Sequence, residues 1–307
     1  MTSNGVPGPL SAGTAAFPHP APRSGPLGEL NHDTIVYSCE PGYRPLFLDL
    51  RVPPGHTPRP LIVWIHGGGW LFGSRRRLPP NLFLHRLHDR MLEAGYAVAA
   101  VDYRLAREAG LPAMLLDLKA ASRWLRAHAA EFELDPQRVV LWGESAGAHL
   151  ALLLGMCTLL EGLPRSGECL DQSEAPQAIV DWYGPTDFAA LPADGRTATN
   201  AQEVGSATDR PLSVLKQGCD WTEGQMSPIS YVRPDLPPIF VAHGTHDSQV
   251  PVDQSRRFVE ALTAAGARVE YLEVPGAEHV WVGAPSTTEI VDRSLAFLSR
   301  HLQPAPA

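Results

Sequence analysis

Val139-Val140-Leu141-Trp142-Gly143-Glu144-Ser145-Ala146-Gly147-Ala148-His149-Leu150 is the stretch on which the fold turns. Four apolar or β-favouring residues run into Gly-Glu-Ser-Ala-Gly, and a helix-forming run from Ala146 to Leu160 follows at once. A Gly-x-Ser-x-Gly between a strand and a helix is an elbow that lifts a serine hydroxyl above a sheet edge. The flanking glycines have a steric reason: a Cβ at Gly143 or Gly147 would crowd so sharp a turn. The helix that follows points its free N–H groups and its positive end at Ser145. A strand–helix turn that merely contains a serine is the plainer alternative. The flanking elements and the partners found downstream favour a nucleophile.

Outward from the elbow, strands and helices alternate. Leu61–Ile65 reads as a buried central strand running into His66-Gly67-Gly68-Gly69-Trp70. Leu82 to Ala94 reads as a helix stopped by Gly95, and Tyr96 to Val101 as a buried strand ending in Asp102-Tyr103-Arg104. Pro112 opens a helix to about Ala130, with Leu115, Leu118, Ala121, Trp124 and Leu125 on one face. Past the elbow come strands at Ala178–Tyr183, Pro238–Ala242 and Val269–Val274, and helices at Gln254–Ala265 and Thr287–Leu302. Thr34–Tyr37 and Leu46–Val52 form two earlier strands, the second alternating as a half-exposed antiparallel strand does. The pattern predicts an α/β fold, a mostly parallel sheet with helices on both faces.

Residues 1–30, rich in Pro, Gly, Ala and Ser, read as a flexible tail or one loosely draped over the body. Residues 31–307 read as a single domain, with 184–236 a long irregular insertion that shapes a pocket. A chain of 307 residues can bury a large core without disulfides or metals. The net charge of −8, with no long basic run, argues against nucleic acid; Arg75-Arg76-Arg77 is too short to change that. No apolar run approaches the roughly 20 residues of a membrane span. The tail also lacks the apolar region of about 7–15 residues that a signal peptide needs. Cys39, Cys157, Cys169 and Cys219 show no C-x-x-C spacing, so reduced thiols and a cytoplasmic setting are the simplest account. A Cys169–Cys219 bridge would require an oxidising compartment.

Each candidate for chemistry lies just past the C-terminal end of an expected strand, the edge where open parallel sheets bind ligands. Ser145, Asp247 and His279 follow three different strands, in the order nucleophile, acid, histidine. His279 is the candidate base because it follows the last strand in a Pro-Gly loop; His66, His149, His243 and His246 read as bracing or packed residues. Asp247 is preferred as the acid over Asp181, Asp187 and Glu144. The amides of Gly68 and Gly69, joined by that of Ala146, are candidate oxyanion donors. A phosphate cradle would want Gly-Lys-Ser/Thr before its helix, which is missing. His85-x-x-His88-Asp89 is not His-Glu-x-x-His, and no metal is expected.

With these residues in place the chain resembles the α/β-hydrolase superfamily, and within it the hormone-sensitive-lipase-like and feruloyl/acetyl-esterase-like carboxylesterases. The resemblance spans about Leu46 to Leu302. It rests on His66-Gly67-Gly68-Gly69-Trp70, Asp102-Tyr103-Arg104, Gly143-Glu144-Ser145-Ala146-Gly147, and His243-Gly244-x-x-Asp247 followed by Val250-Pro251. It implies a serine esterase acting without a cofactor. The expected substrate is a small ester with a short acyl group, since no long apolar stretch would build a lid or a deep acyl tunnel. Trp70, Glu144, Trp221 and Met226 are the candidate pocket residues. An arylformamidase-like amidase or a sugar deacetylase would use the same machinery. A receptor on a hydrolase body, binding without turnover, is the rival of another class. Oligomeric state is not legible in the sequence.

Overall fold

Five apolar residues in a row, Leu61 to Ile65, need cover on both faces and a neighbour on each side. In the computed structural model, which describes residues 17–157, 167–197, 213, 215–216 and 219–302, that run ends β4 (Arg59–Ile65), with all five residues buried. Its parallel neighbours are β5 (Ala97–Val101) and β6 (Leu134–Glu144). The sheet continues in parallel through β7 (Ala178–Trp182), β8 (Ile239–Gly244) and β9 (Val269–Val274). On the other side β3 (Leu46–Val52), β2 (Leu30–Ser38) and β1 (Arg23–Ser24) add on antiparallel. Among the described residues the order is β1-β2-β3-β5-β4-β6-β7-β8-β9.

Period-2 alternation divides the core into two layers. Leu61, Val63, Ile65, Leu141, Ile179 and Val241 face α3 (Ala113–Ala127) and α4 (Ala146–Met156). Ile62, Trp64, Trp142, Val180, Trp182 and Phe240 face α1 (Pro80–Leu84) and α2 (Leu87–Glu93). In this second layer Trp64, Trp142, Trp182 and Trp281 pack ring on ring, with Trp142–Trp182 at 5.1 Å and Trp182–Trp281 at 5.5 Å, both near edge-on. The aromatic row runs from the central strand to the loop that carries His279.

Three expectations change in the structure. The helix expected over Leu82–Ala94 is two, α1 and α2, broken where Arg86 turns left-handed (φ 52°). The break lets Leu87, Met91 and Leu92 reach the sheet, while Asn81 on α1 donates to the Val280 carbonyl at 3.0 Å. The reading of residues 1–30 as a loose tail does not hold for its second half. Arg23 and Ser24 pair with Asn31 and Leu30, and the fully buried Glu29 accepts from Arg51 at 2.6 Å and from the Leu27 amide at 2.9 Å. Residues 1–16 lie outside the described ones. Within 184–236, read as irregular, stand the short helices α5 (Leu191–Thr197) and α6 (Glu223–Met226). The Thr222–Gln225 capping box that starts α6 was legible as Thr-x-x-Gln. Two further helices, α7 (Asp253–Ala264) and α8 (Thr287–His301), match the expected spans to within a residue at each end.

Candidate active site

The elbow is as tight as its glycines require. Ser145 has φ 53° and ψ −123°, a conformation L-residues rarely adopt, held by its amide donating to the Trp182 carbonyl at 2.9 Å. A Cβ on Gly147 would stand 2.1 Å from the Ile65 carbonyl oxygen, and one on Gly143 would stand 2.3 Å from the Gly147 carbonyl. The helix therefore starts directly against the end of β4.

Because β6, β7, β8 and β9 are consecutive in the sheet, their carboxyl ends form one edge. There the His279 Nδ1–H donates to Asp247 Oδ2 at 2.7 Å, and the Ser145 hydroxyl lies 3.0 Å from His279 Nε2. Asp247 Oδ1 accepts from the amides of Gln249 and Val250, both at 2.8 Å, which fixes the carboxylate's orientation. His243, buried at the end of β8, bonds the Val250 carbonyl at 2.9 Å and the Ser255 hydroxyl at 2.6 Å, a packed bracing role. The acid and histidine loops are zipped together. The His246 amide donates to the Ala277 carbonyl at 3.0 Å, and Glu278 accepts from the Ser248 amide at 3.0 Å. Gly244 permits this approach, since a Cβ there would stand 2.2 Å from the Ala277 oxygen.

The other carboxylates are engaged elsewhere. Asp187 pairs with Arg257 at 3.1 Å, Asp181 accepts from the Gly184 amide at 2.9 Å, and Glu144 accepts from the Gly67 amide at 2.6 Å. Burial pushes Asp181 up to about 7. Burial acts in the same direction on Asp247, but the His279 and His243 imidazoles more than offset it and hold that carboxyl well below the usual range. For His279 burial disfavours the charged ring, and the Asp247 carboxylate outweighs it, so its pKa rises above the ordinary 6.5.

The glycine loop abuts the elbow, its Gly67 amide donating to Glu144. Gly68, Gly69 and Trp70 all have positive φ (112°, 60° and 59°), which turns the chain sharply between β4 and the Leu71–Phe72 turn. Among the described residues no acceptor faces the amides of Gly68 and Gly69. The Ala146 amide, first in its helix, has no carbonyl one turn back. His66 braces this loop. Its ring stacks on Tyr103 at 4.5 Å, and the Tyr103 hydroxyl donates to the His66 carbonyl at 2.9 Å. Asp102 holds Arg75, and Arg104 forms a fork with Asp117 on α3. The Asp102-Tyr103-Arg104 motif is thus the scaffold of the glycine loop.

Of the candidate pocket residues, Trp70, Glu144 and Met226 are buried and stand behind the site, and Trp221 is half-buried against the core. Sequence reasoning missed Tyr183. This buried ring, at φ 46°, packs 4.8 Å from His279 and 4.7 Å from Trp281, as a floor beneath the imidazole. It also missed Val280 and Trp281, both left-handed, which swing the chain back just after His279. Nothing in their residue types signals that turn. His88 packs edge-on against Trp64 at 5.5 Å. Among the described residues no three His, Cys, Asp or Glu side chains are grouped to hold a metal ion, and no helix is long and apolar enough to cross a membrane.

The sequence and the fold have counterparts among known proteins. The BD-FAE family model matches residues 48–262. Esterase LipQ of Mycobacterium tuberculosis is 32% identical over 250 residues, covering 78% of this chain; the chain spans 55% of LipQ's length. Among solved structures, a truncated carbohydrate esterase from gut microbiota superposes with a TM-score of 0.72 at 26% identity, over 88% of this chain and 95% of that one. Butyrate-bound Thermogutta terrifontis Est2, a thermophilic esterase, does so with a TM-score of 0.67 at 26% identity, over 87% and 91%.

Proposed function

Because the chain belongs to the BD-FAE family, a group of α/β-hydrolases, we propose that it is a serine carboxylesterase acting through Ser145, His279 and Asp247. The observation that carries this reading is the unbroken chain of hydrogen bonds from Asp247 to His279 to Ser145, at 2.7 and 3.0 Å. Ser145 Oγ attacks the ester carbonyl carbon while His279 Nε2 takes its proton. The carbonyl oxygen becomes an oxyanion that the amides of Gly68, Gly69 and Ala146 stabilise, none of them needing to reorganise as charge develops. Collapse of the tetrahedral intermediate breaks the bond to the alcohol, which leaves with the proton from His279. Water, deprotonated by His279, then attacks the acyl-enzyme and releases the acid. Asp247 keeps the imidazole in the tautomer whose Nε2 is free to accept, and stabilises the imidazolium.

The substrate is a small ester with a short acyl group. The likeness to an esterase solved with butyrate supports this. The four free thiols support the cytoplasmic setting. The likeness to a carbohydrate esterase favours a second reading, deacylation of an acylated sugar on the same three residues. The deciding experiment compares the parent and Ser145→Ala on p-nitrophenyl acetate, then on acyl chains from acetyl to dodecanoyl and on acetylated sugars. Turnover by the parent alone, falling as the acyl chain lengthens, is expected. Saturable binding without turnover would make the protein a receptor instead, and efficiency rising to dodecanoyl would remove the short-acyl assignment.

A further inference from the structure

His149 lies one turn into the helix that Ser145 opens, fully buried, its amide bonded to the Ser145 carbonyl at 3.1 Å. Its ring is used on both sides. Nε2 stands 2.8 Å from the Met226 carbonyl, and Nδ1 stands 3.2 Å from the Trp70 indole nitrogen. These two partners dictate the tautomer. A carbonyl only accepts and an indole N–H only donates, so Nε2 carries the proton and Nδ1 is bare. An imidazolium would set one N–H against another. Burial, partly offset by the Met226 bond, lowers His149 to about 4 and so keeps the ring neutral. Phe188 closes the third side, edge-on to His149 at 5.0 Å and tilted against Trp70 at 5.9 Å.

Trp70 is the residue directly after Gly69. It holds a left-handed conformation without being glycine, so something outside the loop must keep it there. Two bonds do so. The Ala106 amide donates to its carbonyl at 2.8 Å, and His149 accepts its indole N–H. If the indole is released, the strained Trp70 backbone can relax; the Gly69–Trp70 peptide then turns, and Gly69, itself left-handed and without a Cβ to resist, passes the rotation to the Gly68–Gly69 peptide that carries the donor amide.

We propose that His149 is a positioning residue for the oxyanion hole, which holds the Gly69 amide in line by gripping the Trp70 indole from the nucleophile's own helix. The inference rests on the serine-esterase reading above. It also gives the inserted segment a role. Through the Met226 carbonyl and Phe188, residues of that segment lock the ring that sets the glycine loop, so nucleophile, oxyanion donors and insertion share one joint.

The test measures kcat and KM on p-nitrophenyl acetate for the parent, Trp70→Phe, His149→Phe and the double variant. Parent turnover tests the esterase reading separately; only the ratios to the parent test this one. Each single variant should lower kcat about tenfold or more, short of the 10²–10³-fold cost of removing a donor outright. KM should stay within about threefold, because a donor that acts on the oxyanion contributes little to ground-state binding. The double variant should be no slower than the slower single, since both changes release the same indole. Trp70→Phe with kcat within about twofold of the parent, or losses that multiply in the double variant, would overturn the proposal. Should His149→Phe fail to fold, Trp70→Phe decides alone, because it keeps an aromatic ring and deletes the N–H.

Discussion

In the proposed mechanism three residues divide a single proton transfer between them, and the division can be tested one atom at a time. Asp247→Asn keeps the shape but reverses the hydrogen-bonding sense toward His279 Nδ1, so kcat should fall on the order of 10⁴-fold in a folded protein. Asp187→Asn, whose carboxylate pairs with Arg257 away from His279, should stay near the parent rate. Steady-state rates on p-nitrophenyl acetate check both, and a reversed ranking would remove Asp247 from the mechanism. The pH profile carries a sign as well. His279 must be neutral to accept the Ser145 proton, so kcat/KM should rise with pH. Because Asp247 raises the imidazole above its ordinary 6.5, the midpoint should lie above that value. A midpoint below it would mean that the carboxylate does not act on the ring as its 2.7 Å contact implies.

At the scale of elements, the strand–elbow–helix unit depends on close backbone approach. Gly147→Ala would drive a methyl to 2.1 Å from the Ile65 oxygen and 2.6 Å from the His66 oxygen, backbone atoms at the end of the central strand and just past it that cannot swing aside. Overpacking of this kind costs about 1–3 kcal/mol, occasionally more, and here it also displaces Ser145 and the Ala146 amide. Both the thermal midpoint and kcat should drop. Gly266, just past α7, makes the contrast. A Cβ there meets nothing within 4 Å, although its φ of +74° disfavours one. Gly266→Ala should therefore cost stability, roughly 1–2 kcal/mol for the left-handed backbone, and leave kcat intact. Equal loss of activity in both variants would mean that the elbow is not special.

For the whole molecule, β1 and the start of β2 lie at the opposite end of the strand order from β6–β9, so their contribution is to stability. Glu29 is the point to probe. Its buried carboxylate satisfies Arg51 and the Leu27 amide, while Arg51 keeps Asp89 at 2.8 Å as a second partner. Glu29→Ala should destabilise by about 1–3 kcal/mol, the cost of orphaned buried hydrogen bonds, with kcat on small esters unchanged. Urea denaturation and the esterase assay check the two halves of that statement. A loss of turnover without loss of stability would tie this edge to the active site.

The amino-acid sequence by itself determined what short-range physics encodes. Continuous apolar runs marked the central strands, and Gly-x-Ser-x-Gly marked the elbow. The positions of Ser145, Asp247 and His279 after three different strands were readable because strand ends are local events. The break at Arg86 was not readable, since Leu-His-Arg-Leu contains no helix breaker and only packing against the sheet and the His279 loop splits the helix. Nor was the attachment of residues 23–29, because a Pro/Gly-rich composition conceals a single buried Glu29 whose partner lies 22 positions away. Tyr183 beneath His279, and His149 between Trp70 and Met226, 79 and 77 positions distant, belong to the same class. Tertiary structure alone decided them, because a hydrogen bond or ring contact forms only when strand order brings remote segments within a few ångströms, and no local window of sequence holds that order.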